Sequence, residues 1–168
     1  MELALGFQSK HWISAFAGMT GCRVHFGHTT QETTNMPLTP DLAGQTEEGS
    51  VTVAPEHYAS VVLPGAPDVF STPSLGALVE KTAGTWLARQ TEPGQMSVGA
   101  QLLINHTAAT PPGLTVTVEV TVTAIDGRKV DYTWTASDGV DTVGNGTHQR
   151  FVVDSERFMS RLASKRPT

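Results

Sequence analysis

The sequence has little cysteine and no long apolar run. Its 168 residues contain one cysteine, Cys22, so no disulfide can form within the chain. Chains without disulfides are typical of reducing compartments. No apolar stretch approaches the roughly 20 residues that a membrane helix needs. Polar residues interrupt the opening run MELALGFQSKHWISAF, which argues against a signal peptide. The sequence therefore predicts a cytoplasmic protein that does not span a membrane.

Charge is also sparse. Only 16% of the residues are charged, and the formal net charge is -5 at pH 7. Because no basic stripe is present to neutralise phosphates, the composition argues against a nucleic-acid partner, and we predict none. The sequence also has no Gly-x-Ser-x-Gly elbow, no phosphate-binding Walker loop and no Gly-x-Gly-x-x-Gly turn. A chain of this length suits one domain with a core of its own.

The first 50 residues differ from the rest of the chain. They are rich in Thr, Gly and Gln and keep neither a helical nor a strand period. We expect residues 1–35 to be a disordered extension outside the domain, residues 36–50 to be a linker and residues 51–168 to form the domain. Cys22, His25 and His28 have spacings that a metal could use, but no fourth ligand follows at a paired spacing. We therefore predict no metal site.

From residue 51 onward the patterns become regular. The stretch VTVAPEHYASVVL has the β-branched content of a strand, and STPSLGALVEKTAGTWLARQ has helical periodicity, which predicts a helix over 72–90. Ser71 or Thr72 can cap this helix. Period-two alternation in LTVTVEVTVTAIDGRKVDYTWTAS predicts a hairpin, and QLLINHTAA and GNGTHQRFVV predict further strands. The stretch DSERFMSRLASK predicts a closing helix. The order predicts an α+β fold with one sheet around one helix.

Three polar residues in this pattern are candidates for chemistry: Thr72, Glu80 and His106. Each also has an ordinary interpretation, because Thr72 can be a helix cap, Glu80 a solvated helix acid and His106 a core or edge histidine. The residues beside Glu80 on its helix face are small, which favours a close approach by another part of the structure. These neighbours are Gly76, Ala77, Ala83 and Gly84.

The spacing of the candidates constrains any shared site. Thr72 and Glu80 are eight residues apart, about 12 Å along a straight helix. Their side chains cannot meet within that helix, so a site that uses both favours a subunit boundary. Exposed edge strands of the sheet also favour association. The sequence therefore predicts a homodimer with a composite site.

Three stretches resemble one known family. The run HTAATPPGLTVTV (106–118), together with DGVD (138–141) and GNGTHQR (144–150), is similar to the fluoroacetyl-CoA thioesterase family of the hot-dog superfamily. The resemblance implies a hot-dog fold, in which an antiparallel sheet wraps around one long central helix. It also implies a homodimer with sites at the interface, an acyl-CoA substrate, hydrolysis of short acyl thioesters, and no metal or other cofactor.

The resemblance also implies roles for particular residues. Thr72, Glu80 and His106 fall where the family keeps its catalytic threonine, glutamate and histidine, and Gly99 and Arg150 match positions of the substrate pocket. Members specialised for fluoroacetyl-CoA carry phenylalanines in the loop before the helix, where this chain has Leu63 and Ala66. The resemblance therefore supports a thioesterase for a short acyl group and leaves open whether fluoroacetyl-CoA is the substrate.

The residue types suit thioester hydrolysis. The carboxylate of Glu80 can attack the carbonyl to give an anhydride, or it can deprotonate a water that attacks. His106 can orient Glu80 or, as a cation, stabilise the oxyanion, and the turn at Pro111-Pro112-Gly113 is expected to hold it facing Glu80. The alternative is a non-catalytic hot-dog module that binds an acyl-CoA or acyl ligand. A hot-dog hydratase is disfavoured because the sequence shows no paired Asp/His arrangement.

Overall fold

The computed structural model describes residues 38–165. The expectations for residues 1–35, including the Cys22, His25 and His28 spacing, lie outside this part of the chain. The strands are β1 (Thr46–Thr52), β2 (Gln95–His106), β3 (Thr115–Asp126), β4 (Lys129–Ser137) and β5 (Thr142–Asp154). The helices are α1 (Ala59–Val62), α2 (Thr72–Ala88) and α3 (Ser155–Ala163), with 3-10 turns at Pro40–Leu42 and Pro55–His57. Within the described residues, none of the helices has the length and apolar character needed to cross a membrane.

Helix α2 begins at a well-defined cap. The Ser71 side chain accepts a hydrogen bond from the backbone N–H of Ser74 at 3.2 Å, and Pro73 occupies the first turn, where its missing N–H is tolerated. Gly94, with φ of +84°, turns the chain after the helix into β2. One side of α2 is buried in the core. Its buried residues are Leu75, Gly76, Leu78, Val79, Thr82, Ala83, Trp86 and Leu87.

All strand pairs are antiparallel, in the order β1-β3-β4-β5-β2. The alternation in β3 buries one side completely, because Val116, Val118, Val120 and Val122 all point into the core. Strand β4 adds Val130, Tyr132 and Trp134 to the same core. Helix α2 contacts β1, β2 and β3, so the sheet curls around it. The predicted α+β arrangement of one sheet around one long helix is confirmed.

The segment before the domain was predicted less well. Residues 36–50 were expected to be a linker, but β1 begins at Thr46 and pairs with β3 along its whole length. Leu42 is only 2% exposed and belongs to the core. The stretch VTVAPEHYASVVL was expected to be one strand, but the strand ends at Thr52 and α1 follows. Pro55 explains this break, because it lacks the N–H that a continuing strand would need.

Strand β2 forms one edge of the sheet. It pairs with β5 on one side, and its register shifts between Gly99 and Gln101. Its other side faces no strand of the described chain. Leu103 on this strand is 52% exposed. A long edge strand with an exposed apolar side chain is a natural surface for pairing with a second chain.

Candidate active site

Thr72 and His106 meet where α2 begins and β2 ends. The Thr72 hydroxyl lies 2.9 Å from His106 Nδ1, at hydrogen-bonding distance. Because Ser71 caps the helix, Thr72 does not, and the interpretation of Thr72 as a cap is wrong. Its hydroxyl is therefore available to the histidine instead of to the helix backbone. This is the geometry of a hydroxyl next to a base.

His106 is unlike a histidine placed for stability. Its Nε2 is buried and has no hydrogen-bond partner among residues 38–165, a state that is unfavourable for folding. Burial lowers the pKa of His106, and the polar backbone of Ala108 only partly opposes this. The ring is therefore neutral at pH 7. The sequence left two roles open for His106, orienting Glu80 or water and stabilising an oxyanion as a cation, and the neutral ring favours the first.

A groove opens beside this pair. It has a volume of about 310 Å³, and Thr72 and His106 line it together with Val69, Phe70 and Ala108. Thr72 is exposed, so its hydroxyl is the accessible polar group of the pair. A mainly apolar concavity with a few polar groups is typical of small-molecule sites, and this volume lies at the small end of their range.

Glu80 lies further along α2 and is paired with Arg150 of β5. Arg150 Nη1 donates to the Glu80 carboxylate and also lies 3.3 Å from the Glu80 backbone oxygen. The Arg150 side chain is 9% exposed and that of Glu80 is 39% exposed. Arg150 Nε also donates to the Ser97 hydroxyl at 3.2 Å. The interpretation of Glu80 as a simple solvated acid is therefore wrong, because a nearly buried cation balances its charge.

His148, which the sequence analysis did not select, completes this second group. Its side chain is fully buried, and Nδ1 donates to the backbone oxygen of Gln101 at 2.8 Å. Its Nε2 lies 3.3 Å from Arg150 Nη1 and 3.5 Å from Glu80 Oε2. Strand periodicity contained a signal for it, since His148 and Arg150 are two residues apart in GNGTHQR and so share one face of β5.

The small residues around Glu80 explain how these groups fit together. A side chain at Gly99 would overlap the Glu80 carboxylate, and one at Gly84 would come within 3.4 Å of the Arg150 guanidinium. A side chain at Gly76 would come within 3.1 Å of Ile104 of β2. The expectation of a close approach to this face of α2 is therefore confirmed. The elements that approach it are β2 and the Arg150 side chain.

Within the described residues, the candidate polar side chains form two separate groups, not the single group that a shared site within one chain would need. Thr72 and His106 form the first, and Glu80, Arg150 and His148 form the second, with Gly99 against its carboxylate. His106 was expected to face Glu80, but its Nδ1 contacts Thr72 instead. Within one described chain they do not meet, because strand β2 approaches α2 in two places, with Gly99 over Glu80 and His106 over Thr72. The two groups are set apart by eight residues of helix, about 12 Å.

The curled antiparallel sheet around α2 defines the class of fold. A solved hot-dog-like protein from Thermanaerovibrio acidaminovorans has a TM-score of 0.71 with this chain, at 22% sequence identity. The match covers 76% of this chain and 96% of that one. The protein therefore has the hot-dog fold, as the sequence predicted.

The sequence comparison is more specific than the fold. Residues 53–156 match the family model described as fluoroacetyl-CoA-specific thioesterase. The chain is 42% identical over 101 residues to the fluoroacetyl-CoA thioesterase of Streptantibioticus cattleyicolor, covering 60% of this chain and 73% of that protein. A solved fluoroacetyl-CoA thioesterase has a TM-score of 0.71 at 35% identity, over 74% of this chain and 97% of that one. The chain belongs to the fluoroacetyl-CoA-specific thioesterase family, which confirms the prediction of an acyl-CoA thioester hydrolase.

Proposed function

We propose that this protein hydrolyses short-chain acyl-CoA thioesters to the free acid and CoA, with Glu80 as nucleophile or general base. The observation that carries the proposal is the setting of Glu80 in a chain of a thioesterase family. Its carboxylate is held by Arg150, lies against the side-chain-free Gly99 and is still 39% exposed. A carboxylate that is oriented, charge-balanced and accessible is suited to attack a carbonyl or to activate water.

Two routes of hydrolysis suit this carboxylate. In the first, a Glu80 oxygen bonds to the acyl carbon, the carbon–sulfur bond breaks and CoA leaves as the thiolate. Water then attacks the resulting anhydride, which releases the acid and restores Glu80. In the second, Glu80 takes a proton from a water whose oxygen attacks the acyl carbon, and that proton passes to the departing sulfur. Both routes consume one water for each thioester.

Thr72 and His106 supply the other half of the chemistry. The exposed Thr72 hydroxyl can donate a hydrogen bond to the oxygen that becomes negative as the carbonyl is attacked. His106 can hold the direction of that hydroxyl, with Nδ1–H donating to the Thr72 oxygen while the hydroxyl proton points to the substrate. Thr72 also stands at the first turn of α2, where the helix dipole favours negative charge.

A homodimer would bring the two groups together. Glu80 and the Thr72–His106 pair do not contact each other within one described chain, and the edge strand β2 contributes to both places. Pairing of β2 with its copy in a second subunit would bring the Glu80 group of one protomer toward the Thr72 group of its partner. We therefore place each active site at a subunit boundary, with an acyl-CoA substrate bound between protomers.

The groove favours a short acyl group. Its volume is about 310 Å³, at the small end for small-molecule sites, and it must also hold the thioester beside Thr72. The loop before α2 carries Leu63 and Ala66, and Leu63 is 65% exposed. With no aromatic residue at either position, we expect acetyl-, propionyl- and fluoroacetyl-CoA all to be accepted.

The proposed function is tested by a thiol-release assay on the purified protein. The panel contains acetyl-, fluoroacetyl-, propionyl-, butyryl- and octanoyl-CoA, with free CoA measured over time. We expect release from the short members and little from octanoyl-CoA. If no member is hydrolysed while the same acyl-CoAs raise the melting temperature, the protein is a binding module and the proposed reaction is wrong.

Variants of Thr72 and of the adjacent Ser71 distinguish a role of Thr72 in the reaction from a role in capping helix α2. Ser71→Ala is expected to lower the free energy of unfolding by about 1 kcal/mol, because it removes the α2 cap. Thr72→Ala should change stability less and activity much more, since its hydroxyl serves His106 and not the helix. Thr72→Ser keeps the hydroxyl and should remain active. Denaturant unfolding and turnover on the three variants check this pattern, which fails if Thr72→Ala is fully active.

A substitution at Gly99 tests whether the observed position of the Glu80 carboxylate is the one used in the reaction. Gly99→Ala places a methyl group where the carboxylate now lies, so Glu80 must move. A displacement of about 1 Å is expected to lower kcat by roughly 10²-fold. The melting temperature should fall moderately, because the displaced carboxylate pairs with the nearly buried Arg150. An unchanged kcat in Gly99→Ala would show that this placement of the carboxylate is not the working one.

A further inference from the structure

We propose that His148 is a positioning residue, which holds the Arg150 guanidinium in the orientation that presents the Glu80 carboxylate to substrate. This inference rests on the proposed function of Glu80. His148 does not reach the groove, since its side chain is fully buried behind Arg150 and Glu80. Its effect on the reaction is therefore exerted through those two side chains.

The hydrogen bonds of His148 define its tautomer. Nδ1 lies 2.8 Å from the Gln101 backbone oxygen, which can only accept, so Nδ1 carries a proton. In the neutral ring Nε2 is then an acceptor, and the nearest donor is Arg150 Nη1 at 3.3 Å. The guanidinium is thereby fixed from both sides, by His148 at Nη1 and by Ser97 at Nε. Because all guanidinium donors lie in one plane, fixing two of them fixes the direction of the contact to Glu80.

The ring of His148 is itself held rigidly. Tyr132 of β4 stacks on it with a centroid distance of 6.0 Å and an interplanar angle of 26°, and Trp86 of α2 packs edge-on against Tyr132. The Tyr132 hydroxyl has no hydrogen-bond partner within the described residues, so Tyr132 contributes packing and no polar contact. A support of this kind, behind a residue that contacts a reacting group, keeps catalytic geometry precise.

Burial keeps His148 neutral. The groups that face it are Glu80 from α2, Arg150 from β5 and Tyr132 from β4, with the Gln101 carbonyl from β2. Burial lowers the pKa of His148, and Arg150 lowers it further, whereas the Gln101 hydrogen bond and Glu80 raise it. Protonation would turn Nε2 from an acceptor into a donor facing the Arg150 cation. The support of Arg150 requires the neutral ring.

Three variants test this role by steady-state kinetics. His148→Phe keeps the ring and its stacking on Tyr132 but loses the acceptor, so kcat should fall by tenfold or more while KM changes little, the response expected when a reacting group is misplaced. His148→Gln can donate to the Gln101 oxygen and accept from Arg150, and it should recover most of kcat. The matched control is Tyr132→Phe, which removes only a hydroxyl without partners and should keep the wild-type kcat.

The results distinguish a failure of the role proposed for His148 from a failure of the proposed function. If His148→Phe keeps the wild-type kcat, or if His148→Gln is as slow as His148→Phe with the same melting temperature, His148 does not position Arg150. In either case the wild type still hydrolyses acyl-CoA, and the proposed function stands. If the wild type hydrolyses no member of the acyl-CoA panel, the proposed function fails and the role of His148 fails with it.

A nuclear magnetic resonance titration of the His148 ring gives a readout that does not depend on turnover. We expect a neutral ring at pH 7 with its proton on Nδ1. Arg150→Met should raise the pKa of His148, because Glu80 then acts without the opposing cation, and Glu80→Gln should lower it. A ring protonated at pH 7, or one with its proton on Nε2, would overturn the proposed hydrogen bond to Arg150.

Discussion

Replacing Glu80 by glutamine should remove nearly all acyl-CoA hydrolysis, with a loss in kcat of at least the 10²–10⁴-fold typical of a missing general base. The amide has almost the same shape as the carboxylate but cannot form an anhydride or accept a proton from water. Within residues 38–165, no other carboxylate contacts Arg150, His148 or the Thr72–His106 pair. No neighbouring group can therefore take over the role.

The stability of this variant should fall moderately. The Arg150 side chain is only 9% exposed, and it loses its charged partner when Glu80 is replaced by glutamine. The glutamine oxygen can still accept from Nη1, so we expect a loss within about 1.5–3 kcal/mol, the range for hydrogen bonds to charged groups. Because the Glu80 side chain is 39% exposed, solvent screens the ion pair, and we expect a loss of stability at the lower end of this range.

Glu47 provides the matched control. It also forms an ion pair with an arginine, Arg89, but on the surface and away from both polar groups. Glu47→Gln should leave turnover unchanged and lower stability by less than about 1 kcal/mol. Thiol release and thermal unfolding on the two variants side by side separate lost chemistry from a lost ion pair. Hydrolysis at the wild-type rate by Glu80→Gln would refute the mechanism proposed for this site.

Much of the fold could be predicted because its signals are local. Helix α2 has a capping serine, an early proline and an apolar side at helical spacing, and β3 alternates valine with polar residues along most of its length. Strand β1 has no such signal. Its sequence TEEGSVT contains two acids and a glycine, and it becomes a strand by pairing with β3. Gly49 there lets Thr82 of α2 approach the backbone, a contact that only the tertiary structure reveals.

The sequence indicated most residues of the two polar groups, but it missed His148 and did not predict which residues pair. The small residues around Glu80 correctly indicated a close approach, because side-chain volume can be read from sequence. Which histidine lies near Glu80 depends on the register of β2 and β5 against α2, and spacing does not determine that register. The sequence therefore favoured His106, whereas His148 lies 3.5 Å from Glu80. The neutral state of His106 follows from its burial, which is also a property of the folded chain.

Mixing two inactive variants should restore activity. Glu80→Gln removes one polar group and His106→Ala impairs the other, and each alone should be slow by about 10²-fold or more. If each site takes Glu80 from one protomer and the Thr72–His106 pair from its partner, a heterodimer contains one intact site and one doubly altered site. Random assortment makes half of the dimers mixed, so an equal mixture should show about a quarter of the wild-type rate.

The pairings within each polar group supply the controls. Thr72 and His106 contact each other in one chain, so a mixture of Thr72→Ala and His106→Ala leaves every site damaged and should restore nothing. The same holds for Glu80→Gln mixed with Arg150→Met, because these residues form one ion pair. The pattern of rescue therefore shows which residues enter a site from the same protomer.

The experiment requires heterodimers of known composition. Co-expression with two different affinity tags and sequential purification gives them, and sedimentation checks that they are dimers. Purified Glu80→Gln/His106→Ala heterodimers should turn over at about half the wild-type rate, because one of two sites is intact. If verified heterodimers remain as slow as the parents, Glu80 and His106 do not meet across a subunit boundary. A stable monomer with full activity would exclude the composite site directly, since the two groups lie eight residues of helix apart within one chain.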